Sequence, residues 1–131
     1  MTQVDIKTIR PNEYPHEVKL RNHTFVADAG VSVGGQDTAP GAHDFFDASL
    51  AACKAHTALW YAKRKSYPLE RIEARVESDN TDERKGVYKI RVHVELFGPL
   101  TDEQKADIHR AIAACPVHKL MTTSDVQIET Y

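Results

Sequence analysis

Apolar and polar residues alternate in three short segments near the start of the chain. Val4 and Ile6 alternate with polar neighbours, Val18 and Leu20 repeat the pattern, and Phe25 lies in a third segment. A period of two residues is typical of a β-strand that buries one face. This part of the sequence therefore predicts two or three antiparallel strands.

The period becomes helical after a glycine-rich segment. Residues 30–43 hold four of the six glycines and keep no period, which predicts a loop. From Asp44 to about Lys65, side chains that favour burial recur at spacings of three and four residues, at Phe46, Leu50, Cys53, Thr57 and Trp60. Alanines fill much of the remaining helix surface, and their small side chains allow other elements to pack closely against the helix on several sides. We therefore expect a long central helix.

Two further alternating segments predict a long β-hairpin. Pro68 ends the helical region, and Ile72, Ala74 and Val76 then alternate with charged residues. Residues 90–96 show the same alternation after a polar stretch, SDNTDERKG. A polar segment between two strand patterns favours pairing of the two strands as a hairpin.

A second helix is predicted after the hairpin. Residues 101–104 begin with Thr and end with Gln, as in a capping box. Ile108, Ile112 and Cys115 lie on one helical stripe, and Pro116 is expected to stop the helix. Cys115 is thereby predicted at the C-terminal end of this helix.

The order of these elements predicts an α+β fold. Val126 and Ile128 favour a last short strand after the second helix. The 131 residues fit one domain, 1–131, with a sizeable core. The sequence lacks both a strict β-α-β alternation and a glycine-rich phosphate loop, which counts against a nucleotide-binding α/β fold.

Charge and hydropathy narrow the class of partner. Lys and Arg number 17 and Asp and Glu 19, for a net charge of −2, so neither nucleic acid nor a membrane surface is an expected partner. No apolar run reaches the roughly 20 residues of a membrane span, and the start of the chain lacks the apolar core of a signal peptide. We therefore expect a cytoplasmic protein.

The two cysteines, Cys53 and Cys115, leave two interpretations open. A reduced domain of this size does not need a disulfide, so the thiols are either small buried hydrophobic groups or reactive groups. A reactive Cys53, in the middle of a helix, needs a cation from elsewhere to favour its thiolate. At a helix C-terminus the dipole opposes a thiolate on Cys115. A redox pair would then use Cys53 for attack and Cys115 for resolution of the sulfenic acid.

Two segments around the cysteines carry distinctive motifs. The first, residues 34–77, reads GGQDTAPGAHDFFDASLAACKAHTALWYAKRKSYPLERIEARVE, with a glycine-rich loop, an acidic residue that enters a helix, Ala-Ala-Cys and a later Pro-Leu-Glu. The second, residues 113–130, reads AACPVHKLMTTSDVQIET and contains Cys-Pro-Val-His. In these motifs both segments resemble the OsmC/Ohr family of hydroperoxide reductases. Together with the element order, the resemblance covers nearly the whole chain.

The resemblance implies an intertwined homodimer and a thiol peroxidase that reduces organic hydroperoxides to alcohols. It implies that Cys53 attacks the peroxide, that Cys115 closes a disulfide with it, and that an external dithiol, often a lipoyl group, resets the enzyme. No cofactor is implied. The family arginine at the end of the first strand corresponds to Arg10, with Arg21 as the weaker candidate; it would hold the Cys53 thiolate and polarise the peroxide.

The acidic position of the family differs in this chain. The family has a glutamate nine or ten residues before the first cysteine, where this sequence has Asp44 and His43. Asp44 is a candidate for orienting the arginine, and an ordinary helix N-cap is an equal alternative. Phe45 and Phe46 replace two leucines of the family and, with Trp60, could line a substrate pocket; a role in the core is the alternative.

Other residues favour less specific interpretations. The spacing from Cys115 to His118 suits a metal, but a structural zinc site wants four ligands and no second close pair occurs, so we expect no metal. His118 is expected to pack or to cap a helix end, and His56 to be a polar residue rather than a catalytic base. A non-catalytic dimer that binds an apolar small molecule remains the alternative to the peroxidase.

Overall fold

The computed structural model describes residues 2–131 and divides into two compact units. The division falls within the long helix, between Phe46 and Asp47. The elements comprise antiparallel strands and helices, so the α+β class predicted from the sequence is confirmed. Within residues 2–131, no helix is both long and apolar enough to cross a membrane.

The first unit contains a three-stranded antiparallel sheet. Strands β1 (Val4–Thr8), β2 (His16–Leu20) and β3 (His23–Ala27) are hydrogen-bonded in sequence order. Val18 pairs with Ile6 on one side and with Phe25 on the other, and is buried. The alternation in the sequence therefore predicted these strands correctly.

A buried carboxylate organises the loop that follows β3. Asp28 accepts hydrogen bonds from the backbone N–H of Ala29 at 2.7 Å and of Thr38 at 2.9 Å, and from the Thr38 hydroxyl at 2.6 Å. These donors lower the pKa of Asp28 to about 2, and the Thr38 hydroxyl contributes most. The predicted loop is thus ordered, with a short 3-10 turn at Val31–Val33.

The long helix α1 spans Ala42–Lys65 and begins two residues before the predicted start at Asp44. Asp44 lies in its first turn, where its carboxylate accepts the Gly41 N–H at 2.8 Å. Asp44 is therefore not the N-cap residue itself, but its contact with the Gly41 N–H still caps the start of the helix, as the structural alternative expected. After Lys65 the chain turns through Ser66, whose φ is 57°.

The second unit contains the predicted hairpin. Strands β4 (Arg71–Asp79) and β5 (Lys89–Phe97) pair antiparallel, with Ile72 opposite Leu96 and Val76 opposite Val92. Every second residue of β4 from Ile72 to Val76 is half-buried, and its neighbours are exposed. The sheet therefore presents one face to the helices and one to solvent.

Two helices follow the hairpin where the sequence predicted one. Helix α2 (Asp102–Ala113) begins with the expected capping box of Thr101 and Gln104. It ends before Cys115, which precedes a short helix α3 (Pro116–Thr122). Helix α2 ends before Pro116, as predicted, but the sequence did not indicate that proline also begins a further helix, α3, at a position where its missing N–H is not needed.

The last predicted strand is also absent. The structure describes no strand in residues 123–131, and there Val126 and Ile128 are 59% and 83% exposed. An alternating pattern forms a stable strand only with a hydrogen-bonded neighbour. The tail lacks such a neighbour within the described part of this chain.

The core of the second unit lies between α1, α2 and the hairpin. Its buried members are Ala58, Ala62, Leu96, Ile108 and Ile112. The positions of α1 that are buried, Leu50, Lys54, Ala58 and Ala62, recur at every fourth residue. This stripe lies one position away from the predicted one, of which only Leu50 is buried.

Candidate active site

The second unit brings the two cysteines together. Cys53 lies in the middle of α1 and is half-buried, whereas Cys115 precedes α3 and is fully buried. Both are free thiols, and Cys53 lies close enough to Cys115 to contribute to the raised pKa of the Cys115 thiol. The fold therefore places the two cysteines near each other, which the sequence alone could not establish.

Two polar groups contact the Cys53 sulfur. The backbone N–H of Val117, in the first turn of α3, donates a hydrogen bond to Sγ at 3.5 Å. The hydroxyl of Thr57, one turn along α1, lies 4.0 Å from the same sulfur, and either of these two groups can be the donor. An N–H donor stabilises a negatively charged acceptor more than a neutral one. The position of Cys53 thus suits a reactive sulfur.

Cys115 has a different environment. Burial raises the pKa of the Cys115 thiol, and the Cys53 thiol adds to the increase, while the Lys54 charge and the backbone N–H of His118 oppose it. Its predicted place at a helix C-terminus is wrong, because it occupies the N-cap of α3. Burial is thus the largest cause of the raised pKa of Cys115.

Lys54 is a buried residue of the site that the sequence pattern did not indicate. Its side chain is 5% exposed, and Nζ donates to the Ile112 carbonyl at 3.1 Å and contacts Nδ1 of His118 at 3.2 Å. His118 thus receives a hydrogen bond from a buried cation, in addition to its place in α3. One feature of the sequence could have indicated its burial: Lys54 lies midway between Leu50 and Ala58, on the stripe of every fourth residue that continues to Ala62.

A cavity of about 760 Å³ lies beside Cys53. Its walls come from α1, from the end of α2 with the residue after it and from the start of α3, and include Cys53, His56, Trp60, Ala114, Pro116 and Val117. Most of these side chains are apolar. Trp60 is 59% exposed, with the Arg64 guanidinium 5.2 Å from its ring centroid, so it lines the cavity rather than the core.

The remaining predicted site residues belong to the first unit. Arg10 follows β1 and forms an ion pair with Glu13. Arg21 occupies the turn between β2 and β3 with a φ of 54°. The Phe45 ring lies 5.4 Å from that of Phe25, and Phe46 is 45% exposed. The structure thus brings Cys53, Cys115 and Trp60 into one site, and the roles of Arg10, Asp44, Phe45 and Phe46 stay predictions.

The described residues, 2–131, contain no group of three or more His, Cys, Asp or Glu side chains that could hold a metal ion. His118 makes its contact with Lys54 through Nδ1. Two free thiols are the reactive groups that the structure places here, Cys53 at the wall of the apolar cavity and Cys115 in the interior.

The fold is similar to several solved structures. A putative osmotic stress induced and detoxification response protein from Psychrobacter arcticus has a TM-score of 0.78 at 17% identity, over 94% of this chain and 90% of that one. An organic hydroperoxide resistance protein OsmC from Legionella pneumophila has a TM-score of 0.68 at 20% identity, over 94% and 90%. The organic hydroperoxide resistance protein OhrB of Bacillus subtilis has a TM-score of 0.60 at 22% identity, over 94% of this chain and 91% of that one.

The sequence itself matches one family model. No curated protein matches the chain significantly. The model for OsmC-like proteins matches residues 35–130, which include α1, the hairpin, both cysteines and α3. This match covers well over half of the sequence, and the resemblance seen in the motifs around Cys53 and Cys115 is confirmed by it. The chain belongs to the OsmC-like protein family.

Proposed function

We propose that the protein is a thiol-dependent peroxidase that reduces organic hydroperoxides to alcohols. The observation that carries this proposal is the placement of a half-buried free thiol, Cys53, at the wall of an apolar cavity with a second, buried free thiol, Cys115, near it. The redox theme of the OsmC-like family supports it, as do the names of the similar proteins from Legionella pneumophila and Bacillus subtilis.

The reaction begins at Cys53. Its thiolate attacks the distal oxygen of the hydroperoxide, the O–O bond breaks, and the alkoxide takes a proton to leave as the alcohol. Cys53 is then a sulfenic acid. Its partial exposure and its place on the cavity wall favour it, over the buried Cys115, as the attacking residue.

Cys115 completes the oxidation. Its sulfur attacks the sulfenic sulfur of Cys53, an S–S bond forms, and the hydroxyl group leaves with the thiol proton as water. An external dithiol of the lipoyl type then reduces the disulfide and becomes a cyclic disulfide itself. A reducing compartment such as the cytoplasm keeps both thiols ready for the next cycle.

Arg10 and Asp44 take the activating roles that the family resemblance implies. The Arg10 guanidinium holds the Cys53 thiolate and polarises the peroxide, and Asp44 orients Arg10. Trp60, Phe45 and Phe46 contribute apolar surface for the organic group of the substrate. Support for Trp60 is structural, since it lines the cavity beside Cys53; support for the other residues is the match of their positions to the family.

Residues 1–131 act as a single OsmC-like domain, and two copies form an intertwined homodimer. Apolar side chains left uncovered in one chain support this assembly: Val4 and Ile6 of β1 are 57% and 61% exposed, and Ile128 in the tail is 83% exposed. Sedimentation at micromolar concentration should give the mass of a dimer. A monomer would contradict this part of the proposal.

The decisive experiment counts thiols after peroxide treatment. One equivalent of an alkyl hydroperoxide should convert the two titratable thiols of the wild type into an intramolecular disulfide and release one equivalent of alcohol. Cys115→Ser should stop at the sulfenic acid, which a dimedone-type reagent traps, and Cys53→Ser should retain its thiol. A Cys53→Ser protein that consumes peroxide at the parental rate would overturn the proposal.

A non-catalytic binding protein is the second candidate. The cavity of about 760 Å³ favours it, since this volume lies in the range of small-molecule sites. In this case both thiols would persist after peroxide treatment, and native mass spectrometry of the purified protein would detect an apolar ligand. The same samples therefore distinguish the two functions.

A further inference from the structure

Lys54 is a buried cation in a helix face that otherwise carries small and aliphatic residues. It is 5% exposed, and its neighbours on the stripe, Leu50 and Ala58, are 4% and 0% exposed. Lysine is almost never fully buried unless it is paired, because the ammonium loses its hydration. A lysine at this position therefore needs an electrostatic reason.

The Lys54 ammonium contacts a backbone carbonyl and an imidazole nitrogen. Nζ donates to the carbonyl oxygen of Ile112, near the end of α2, at 3.1 Å and lies 3.2 Å from Nδ1 of His118 in α3. An ammonium has three N–H donors and no acceptor, so these two contacts engage two of the three. Neither partner is a carboxylate that would form an ion pair with Lys54.

A group that can become negative lies beside this charge. Cys115 is fully buried, and its backbone N–H donates at 3.2 Å to the Ile112 carbonyl that also accepts from Lys54 Nζ at 3.1 Å. Burial is the largest influence on the pKa of Cys115 and favours the thiol, whereas the backbone N–H of His118 and, after it, the Lys54 charge favour the thiolate. These opposing effects meet at the sulfur that the peroxidase cycle must ionise.

We infer that Lys54 is a positioning residue for the resolving half of the cycle, and that its charge stabilises the Cys115 thiolate. This inference rests on the proposed function. When the disulfide closes, Cys115 loses its proton and its electron pair attacks the Cys53 sulfenic sulfur, and the hydroxyl group leaves as water. When the dithiol attacks Cys53, the S–S bond breaks and Cys115 leaves as a thiolate. The same cation assists both steps.

The direct test is a titration of Cys115 that does not require peroxidase activity. In the Cys53→Ser background, the ultraviolet absorbance of the thiolate is followed against pH with Lys54 intact and with Lys54→Met, which keeps an apolar stem and removes the charge. The pKa of Cys115 should rise by about one unit in Lys54→Met, which is a tenfold loss of thiolate at a given pH. Lys63→Met, at an exposed position of the same helix, should leave it unchanged.

The kinetic test separates Lys54 from the attack on peroxide. With both cysteines present, Lys54→Met should form the Cys53 sulfenic acid within about twofold of the wild-type rate and close the disulfide about tenfold more slowly, with the pH profile of closure displaced upward. Reduction by dithiothreitol of the disulfide made with a general thiol oxidant should slow in parallel. An unchanged Cys115 titration and an unchanged closure profile would overturn the inference.

Two more variants separate charge from hydrogen bonding and from folding. Lys54→Gln keeps N–H donors for Ile112 and His118 without the charge and should behave as Lys54→Met, whereas Lys54→Arg should restore closure in large part. If both neutral variants fail to fold while Lys54→Arg folds, the charge serves the structure and the inference is wrong. A failed peroxide assay with a displaced Cys115 titration would instead refute the peroxidase and leave the electrostatic role of Lys54.

Discussion

The backbone N–H of Val117 donates a hydrogen bond to the Cys53 sulfur across 3.5 Å, and thereby connects the start of α3 to the middle of α1. Pro116, the residue before Val117, has no N–H of its own and begins the helix. The geometry of α3 thus presents an amide donor to Cys53 while Cys115, one residue further back, is buried. One short segment therefore gives the two thiols opposite environments.

This difference predicts selective alkylation. At neutral pH, iodoacetamide should modify Cys53 at least about tenfold faster than Cys115, because Cys115 is fully buried and burial raises its pKa. Peptide mapping by mass spectrometry over a time course measures both rates, and the urea-unfolded protein, in which the two should react alike, is the control. Equal rates in the folded protein would contradict the assignment of roles.

Arg10 and Arg21 can be distinguished by matched substitutions. Arg10→Met should lower kcat/KM for an alkyl hydroperoxide about a hundredfold, since a guanidinium that stabilises developing charge is worth about 2 to 4 kcal/mol in such sites. Arg21→Met should change kcat/KM by less than about threefold. Stopped-flow measurement of Cys53 oxidation gives both values, and the reverse order of effects would assign the activating role to Arg21.

Trp60 should determine the preference for apolar substrates. Its ring lines the cavity beside Cys53, so Trp60→Ala should raise KM for a bulky aromatic hydroperoxide about tenfold, through lost apolar contact, and change kcat/KM for hydrogen peroxide little. Phe46→Ala, assayed in the same way, tests whether a residue of the first helical turn contributes. A loss for Trp60→Ala that is the same for both peroxides would contradict a role in substrate selection.

Most of the elements were predictable because their signals are local. The alternation in β4 and β5, the loop glycines and the capping box at Thr101 and Gln104 each act within a few residues, and each formed the expected structure. The phase of α1 was not predictable in the same way. Alanines occur on several sides of that helix, so small residues blur its buried face, and Lys54 has the polarity of a surface residue.

The errors at the site also have a physical cause. Proline ends one helix and begins another with equal ease, and the segment at Cys115 separates α2 from α3 by only two residues. The local sequence pattern could therefore place Cys115 near a helix end, but it could not distinguish the C-terminal end of one helix from the N-terminal end of the next. The proximity of Cys53 and Cys115, and of Lys54 to both acceptors, depends on long-range packing that no local period encodes.

Ile108 should be a main contributor to the stability of the second unit. It is fully buried among Ala58, Ala62, Leu96 and Ile112, so Ile108→Ala should reduce the free energy of unfolding by about 2 to 5 kcal/mol, the usual cost of such a cavity. Ile128→Ala, at a position that is 83% exposed, should change it by less than about 0.5 kcal/mol. Urea denaturation monitored by circular dichroism measures both; similar values would contradict the described core.

Asp28 should make the stability of the first unit dependent on pH in the acid range. Its pKa is about 2 in the folded protein, against a usual value of 3.8, because the Thr38 hydroxyl and nearby N–H groups stabilise the carboxylate. A lowered folded-state pKa contributes stability that is present above the unfolded value and is lost as pH falls from about 3.8 towards 2. Asp28→Asn should be less stable than the wild type at neutral pH, and this difference should shrink across that window.

Asp37→Asn, at an exposed position of the same loop, is the control and should show no such convergence with the wild type. Urea midpoints between pH 2 and pH 7 provide the measurement, and a constant difference between wild type and Asp28→Asn at every pH would show that the ionised carboxylate is not what orders the loop.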